Sequence, residues 1–250
     1  MKISIITIAF NNESDIRQTI NSVINQCYKN IEYIVVDGAS TDNTLNIVEE
    51  YKENINKVIS EPDKGIYDAI NKGIAISTGD IVGLIHAGDR LFDNFVIEKI
   101  VHHFENNDIE ASYGHSMFVN SSDQVVRVNK SPDFNKNNLK LGWMPSHQSI
   151  YLRREVFNNR DLYRLDLGGS GDYEFVIRYF YCSDMKIKLL DEFIIKFSMG
   201  GTSTSNYKTI FKTQNVHRYC WKLNGINPPF YLIPLKLLRK VPQFVKALFK

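Results

Sequence analysis

Four short stretches of the sequence combine carboxylates, amides and glycines in ways that could do chemistry. They are Ala9-Phe10-Asn11-Asn12, Asp37-Gly38-Ala39-Ser40-Thr41-Asp42, Glu61-Pro62-Asp63-Lys64-Gly65 and His86-Ala87-Gly88-Asp89. An Asp closing a strand, such as Asp37, can accept hydrogen bonds from a base N–H or from ribose hydroxyls. A carboxylate such as Asp89 can hold Mg2+ or Mn2+, hard ions that want oxygen ligands and often bridge to phosphates. Lys64 could add a point charge to the same phosphates, or stand solvated in its loop. Asp42 or Ser40, just before a helical pattern, also reads as a helix N-cap. Each stretch alone is a weak signal. Together they suit a nucleotide-sugar site in which a metal neutralises charge on a departing diphosphate.

The elements that must position these residues alternate along the first hundred positions. β-Branched or apolar runs at 3–9, 31–36, 57–60 and 81–85 read as strands. Helical spacing is expected over about 13–25, from the start signal at Ser40 to Asn43 onward, over 66–76 and over 95–104. Continuous apolar strands alternating with amphipathic helices predict a Rossmann-like, mostly parallel sheet with helices on both faces. In such a sheet ligands bind beyond the carboxyl ends of the strands, which is where the four stretches fall. After residue 111 the pattern changes. Short strands are expected at 111–113, 125–128, 149–152, 186–190 and 193–197, and helices over 172–181 and 207–223. No GxGxxG or other Gly-rich phosphate loop follows the first strand, which argues against an NAD-dependent oxidoreductase and against a sugar nucleotidyltransferase.

The ordered blocks resemble those of the inverting family 2 glycosyltransferases of the GT-A fold, in the form used for bacterial polysaccharide assembly. The blocks are Ser4 to Asn11, Val35 to Asp42, Glu61 to Gly73, Ile81 to Asp89 and Gly169 to Phe175, within about residues 3–205. The resemblance implies nucleotide contacts at Thr7, Ala9, Asn11, Asp37, Asp63, Lys64 and Asn71. It implies a Mn2+ or Mg2+ ligand at Asp89 and a catalytic base at Asp172. His86, His147 and Glu174 are candidate diphosphate or acceptor contacts; either histidine also reads as an ordinary loop or core residue, and Asp172 as an N-cap. Gly200-Gly201-Thr202-Ser203 looks like the family's mobile Gly-Gly-Ser element. Some positions depart from the family. Gly88 stands where a ribose-contacting Asp is common, Gly171 replaces the acid before the base, and Ile70 replaces an Arg. The implied activity is metal-assisted single displacement, with inversion, from a nucleotide diphosphate sugar such as a UDP-sugar. The acceptor would be a lipid-linked or polysaccharide precursor. The thinned acidic blocks leave a non-catalytic nucleotide-sugar-binding module as the alternative. The implied organisation is a domain over 1–205, with a nucleotide half to residue 110 and an acceptor half from 111, followed by a helical basic extension over 206–250.

Bulk properties agree with a globular chain. Its 250 residues are 43% hydrophobic and carry a formal charge of only +2. That charge is uneven: after Glu192 there are ten bases and no acid, leaving 20 bases against 28 acids before it. From Phe230 onward bases mix with Phe, Leu and Val, a composition suited to an amphipathic segment on an anionic membrane surface. The competing expectation is a helix packed on the domain. Nucleic acid is not expected, because no binding motif accompanies the bases. No apolar run reaches the roughly 18 residues of a membrane span, and the chain opens on a strand rather than a targeting peptide. Three widely spaced cysteines read as reduced packing residues. The expected location is cytoplasmic, peripheral at the inner face of the cell membrane.

Overall fold

A computed structural model describes residues 1–158, 160–198 and 207–238 of the chain, with the side chains of 207–214 and 237 left aside. The strands are β1 (Ile3–Ala9), β2 (Ile31–Asp37), β3 (Lys57–Ser60), β4 (Ile81–His86), β5 (Arg90–Leu91), β6 (Ala111–Val119), β7 (Val125–Asn129), β8 (Ile150–Arg153) and β9 (Ile187–Ser198). The helices are α1 (Ile16–Ile24), α2 (Thr44–Glu49), α3 (Ile66–Ile76), α4 (Val96–Glu105), α5 (Lys136–Lys140), α6 (Gly171–Val176), α7 (Tyr207–Leu223) and α8 (Leu232–Leu238).

Among the described residues, the nine strands join one sheet in the order β3-β2-β1-β4-β8-β6-β9-β5, with β7 paired to β6. The first four are mutually parallel, as expected. Beyond β4 the sheet becomes mixed: β8 runs antiparallel to both β4 and β6, and β9 returns parallel to β6. Register decides where the site forms. Ala9 lies opposite Asp37, Asp37 opposite Ser60, and Ile8 opposite His86. Four strands therefore end at one level, and the loops that follow them share one edge.

Side-chain alternation along the strands builds a core on each face. Ile6, Ile8, Ile34 and Val36 pack with α3 and α6, while Ile3, Ile5, Tyr33 and Val35 pack with α1, α2 and α4. The extension joins the first of these cores: Cys220, Trp221 and Leu232 are buried in it. The fold is thus the expected α/β layering with helices on both faces.

Several local expectations change. β6 is nine residues long rather than three, because all but one of its side chains are buried in the curled half of the sheet. The two strands expected over 186–197 are one, β9, whose pairing with β6 slips around Tyr113 to Ser116. α6 continues into a π-helical turn over Ile177–Tyr181, so the 172–181 helix is present in two parts. Pro234 sits in the first turn of α8, where its missing N–H costs nothing. The cysteines are unpaired, but only Cys220 is buried, while Cys27 and Cys182 are exposed.

Candidate functional site

The first two strand-end loops are stitched to each other. Asn11, at φ 47°, donates its N–H to Ser40 Oγ and accepts from the Thr41 N–H, both at 2.8 Å. Asp42 accepts from the Glu13 N–H at 3.0 Å, and Glu13 accepts from the Asn43 N–H at 2.8 Å. Asp42 also accepts from the Thr44 N–H at the start of α2, so its helix-start reading holds although Asn43 is the capping position. Gly38 lies beneath two side chains of this edge. A Cβ there would come within 2.5 Å of Asp63 Oδ2 and 3.3 Å of the Phe10 ring. Ala9, Phe10, Gly38 and Asp63 are thereby gathered at one end, with the Phe10 ring 63% exposed. Lys64 is exposed beside them, and its ammonium has no hydrogen-bond or ion-pair partner among the described residues.

At the centre of the edge, the turn carrying Asp89 is fixed from three sides. Gly88 takes φ +100°, a conformation that favours glycine over the Asp common in the family. Thr19 Oγ1 accepts from the Gly88 N–H and donates to the Asp89 carbonyl at 2.7 Å. Ser198 donates its hydroxyl to the Gly88 carbonyl at 2.6 Å and its N–H to Asp89 Oδ1 at 3.0 Å. Gln148 donates to Asp89 Oδ2 at 2.6 Å while its carbonyl accepts the His86 N–H at 2.7 Å. Burial nonetheless pushes the half-buried Asp89 carboxyl up to about 6, against the Gln148 amide, the Ser198 N–H and the Arg90 charge. A carboxylate so perturbed gains from a nearby cation. Beside the turn, Asn12 Oδ1 is buried without a partner among the described residues, a second oxygen suited to a hard ion. Among the described residues no group of three or more His, Cys, Asp or Glu forms a metal cage. Asp89 with Asn12 therefore fits an ion that takes its remaining oxygens from phosphates and water.

Next to this turn lies an aromatic and histidine cluster. The His86 and His147 rings meet edge to face at 5.8 Å, and His147 Nε2 shares a 2.8 Å bond with Tyr163 Oη. Burial lowers His147 to about 4, and burial with the His147 neighbour lowers His86 to about 3, so both are neutral at physiological pH. Among the described residues His86 Nε2 is buried with no hydrogen-bond partner, so it can accept from or donate to a ligand. Asp172 sits at the second position of α6, not at the cap. It accepts from the Tyr67 hydroxyl at 3.1 Å and from the Tyr173 N–H at 2.7 Å. Burial raises its affinity for a proton; these donors and the charge of Lys236 counter that. Gly171 follows from Tyr67: a Cβ there would stand 2.8 Å from the Tyr67 ring, so the family's acid is absent where this ring fills the space.

Four expected site residues are placed differently. Thr7 is fully buried within β1 and bonds Tyr33 Oη at 3.0 Å, so no atom of it reaches a ligand. Asn71 spends both ends of its amide on the Tyr163 main chain, at 2.8 and 2.9 Å. Glu174 is 1% exposed and forms a two-pronged ion pair with Arg178 while also accepting from Asn224; it holds α6 to α7. Asp37 is wholly buried, with its oxygens taken by the Ser40 N–H and hydroxyl and by Ser60 Oγ. It holds the loops in place rather than standing open to a base. Residues 200–203, expected as the Gly-Gly-Ser element, lie outside the described residues. Conversely, Tyr67, Gln148, Thr19 and Ser198 were not singled out from the sequence, although Gln148 lies beside His147.

Comparisons with known proteins place this geometry in a family. An uncharacterized glycosyltransferase of Mycobacterium tuberculosis is 31% identical over 182 residues, which cover 70% of this chain and 68% of that protein. A PGL/p-HBAD biosynthesis glycosyltransferase of Mycobacterium bovis is 27% identical over 168 residues, covering 64% of this chain and 62% of the relative. Among solved structures, residues 1–349 of S. aureus TarS in complex with UDP-GlcNAc superpose with a TM-score of 0.73 at 19% identity, covering 99% of this chain and 80% of that one. The mannosyltransferase PcManGT of Pyrobaculum calidifontis, in complex with GDP-Man and Mn2+, gives 0.68 at 15%, covering 99% and 74%. These similarities establish the GT-A fold. The signature of Glycosyl transferase family 2 spans residues 4–166, and the chain belongs to that family.

Proposed function

We propose that this glycosyltransferase moves a sugar from a nucleoside diphosphate donor, a UDP-sugar, to a lipid-linked or polysaccharide-precursor hydroxyl with inversion at the anomeric carbon. The observation that carries this reading is the different setting of two half-buried carboxylates. Asp89 is tied into the strand-end turn, while Asp172 stands at α6, bonded among the described residues to a phenol and an N–H. The nucleoside lies over Ala9, Phe10, Gly38 and Asp63, with Lys64 near the phosphates. Asp89, with Asn12, would hold Mn2+ or Mg2+, which would neutralise charge on the leaving diphosphate. His86 Nε2 supplies a neutral contact to the diphosphate or acceptor. Asp172 takes the proton of the acceptor hydroxyl as its oxygen bonds to C1. The C1–O bond breaks on the opposite side, and its electron pair leaves with the diphosphate. One base suffices because the leaving group needs no protonation.

The basic end supports a peripheral position on an anionic, cytoplasm-facing membrane surface. Phe230, just before α8, is 83% exposed and Leu238, at its end, 63%, so apolar side chains point outward on either side of it, ahead of the base-rich stretch 239–250, which lies outside the described residues. No helix among the described residues is long and apolar enough to cross a membrane. A thermal-shift screen of nucleotide sugars with and without Mn2+ tests the donor and metal reading. The parent should be stabilised by a UDP-sugar in a metal-dependent way, and Asp89→Ala should lose that dependence. Equal metal-dependent stabilisation of both proteins would refute the Asp89 role.

A further inference from the structure

The extension also brings a cation into the acceptor side of the cleft. α7 packs on α6 through Tyr173: Trp221 Nε1 donates to Tyr173 Oη at 3.0 Å, and the His217 ring lies 4.0 Å from the Tyr173 ring. α8 is seated against the main chain at Gly142. A Cβ there would fall within 2.7 to 2.8 Å of the Lys236 N, Cα and Cβ, and the φ of +81° favours glycine. With its backbone so placed, Lys236 sets its ammonium 3.8 Å from the centroid of the Tyr173 ring and 2.9 Å from His217 Nδ1. Tyr173 is the residue that follows Asp172. A membrane-directed helix would have no need to turn a lysine inward onto this ring.

Among the described residues, five titratable groups interact with Asp172 from the elements around it: Tyr67 of α3, His86 of β4, Tyr163 from the segment before α6, Cys220 of α7 and Lys236 of α8. Burial keeps the two phenols and the thiol protonated and the imidazole neutral. The lysine is the member of this set that brings charge at neutral pH. We propose that Lys236 is a positioning residue of the transfer reaction, through which the C-terminal extension sets the charge around Asp172. The inference rests on the reading of Asp172 as the base. It makes residues 232–236 part of the enzyme's working site and not solely an anchor.

The test uses the full chain with saturating metal and compares the parent with Lys236→Met, Lys236→Arg and Asp172→Asn. The readouts are the pH profile of kcat/KM and calorimetric affinity for the nucleoside diphosphate. Without the cation, Asp172 holds its proton to higher pH. The acidic limb of Lys236→Met should therefore move up by about half to one pH unit, the low end for loss of a neighbouring opposite charge. Nucleoside diphosphate affinity should stay parental, and Lys236→Arg should keep the parental limb. The charge beside Asp89 is that of Arg90, so a limb set by Asp89 would not follow Lys236. If Lys236→Met does not fold, Lys236→Gln, which keeps a donor for His217, carries the same test. A folded uncharged variant with the parental limb overturns the inference, as does an Arg variant shifted as far as Met. Near-parental kcat in Asp172→Asn overturns the base assignment instead, whatever the Lys236 variants do.

Discussion

Replacing Gln148 by Leu should unfasten Asp89 without touching any charge. In the structure one side chain serves two buried groups, accepting the His86 N–H at 2.7 Å and donating to Asp89 Oδ2 at 2.6 Å. Leucine has a similar volume and neither function. A hydrogen bond to a charged group is worth about 1.5–3 kcal/mol, and an orphaned buried N–H costs about 1–3 kcal/mol. The two share one side chain and the leucine recovers some transfer energy, so the net loss should be about 2–4 kcal/mol. For a chain of this size that is a fall in Tm of roughly 5–15 °C. A functional loss should accompany it. The Gln148 amide opposes the upward push of burial on Asp89, so its removal leaves the carboxyl protonated to higher pH and weaker toward a cation. Thermal melts and calorimetry with a nucleoside diphosphate, with and without Mn2+, read both effects below the melting range. Gln148→Glu is the companion variant: it keeps the acceptor for His86 but sets a carboxylate against a carboxylate, and should lose metal dependence at least as strongly. A folded Gln148→Leu protein with parental Tm and parental metal-dependent affinity would refute the claim that this residue positions Asp89.

Further expectations concern charge and the tail. Asp89, raised from its ordinary 3.8 to about 6, favours its protonated form in the fold, so its contribution to apo stability is lost as pH rises from about 4 through 6. At about 1.4 kcal/mol per tenfold the ceiling is near 3 kcal/mol; solvent at the half-buried group reduces it to about 1–2 kcal/mol. It should appear as a pH-dependent stability difference between the apo forms of parent and Asp89→Ala; a flat difference contradicts it. Glu174→Ala should cost about 2–4 kcal/mol in urea melts, near the range for a broken buried pair, yet leave kcat per folded molecule parental. A large kcat loss would restore Glu174 to the site. Truncation after Asn227 should lower Tm, because burial of a leucine such as Leu232 is worth about 1.5–3 kcal/mol. It should also abolish binding to anionic vesicles; unchanged co-sedimentation would exclude the tail as anchor.

The parallel half of the sheet was legible because its signals are local. β1, β2 and β4 are apolar runs buried on both faces, and each ends in a polar loop whose residues are consecutive. The same fact should have demoted Thr7, since a strand covered on both faces hides every side chain. Glu174 carried a local sign too: Arg178 stands four residues on, the spacing of a helical ion pair. What could not be read are bonds between distant positions. Gln148 reaches Asp89 across 59 residues, Tyr67 reaches Asp172 across 105, and Ser198 reaches Asp89 across 109. Nothing in the runs around these residues marks them, because their partners are chosen by the folding of the sheet. The mixed half of the sheet was obscured similarly, since β6 takes its length from pairing with β7, β8 and β9 at once.

The central claim, single displacement with Asp172 as base, is tested most directly by one comparison: kcat of parent and Asp172→Asn on the same donor and acceptor, with donor affinity measured alongside. The substitution keeps the shape of the side chain and removes its ability to take a proton. General-base catalysis is typically worth about 10²- to 10⁴-fold, so kcat should fall by about that factor while donor affinity stays parental. A folded Asp172→Asn enzyme with near-parental kcat would contradict the account.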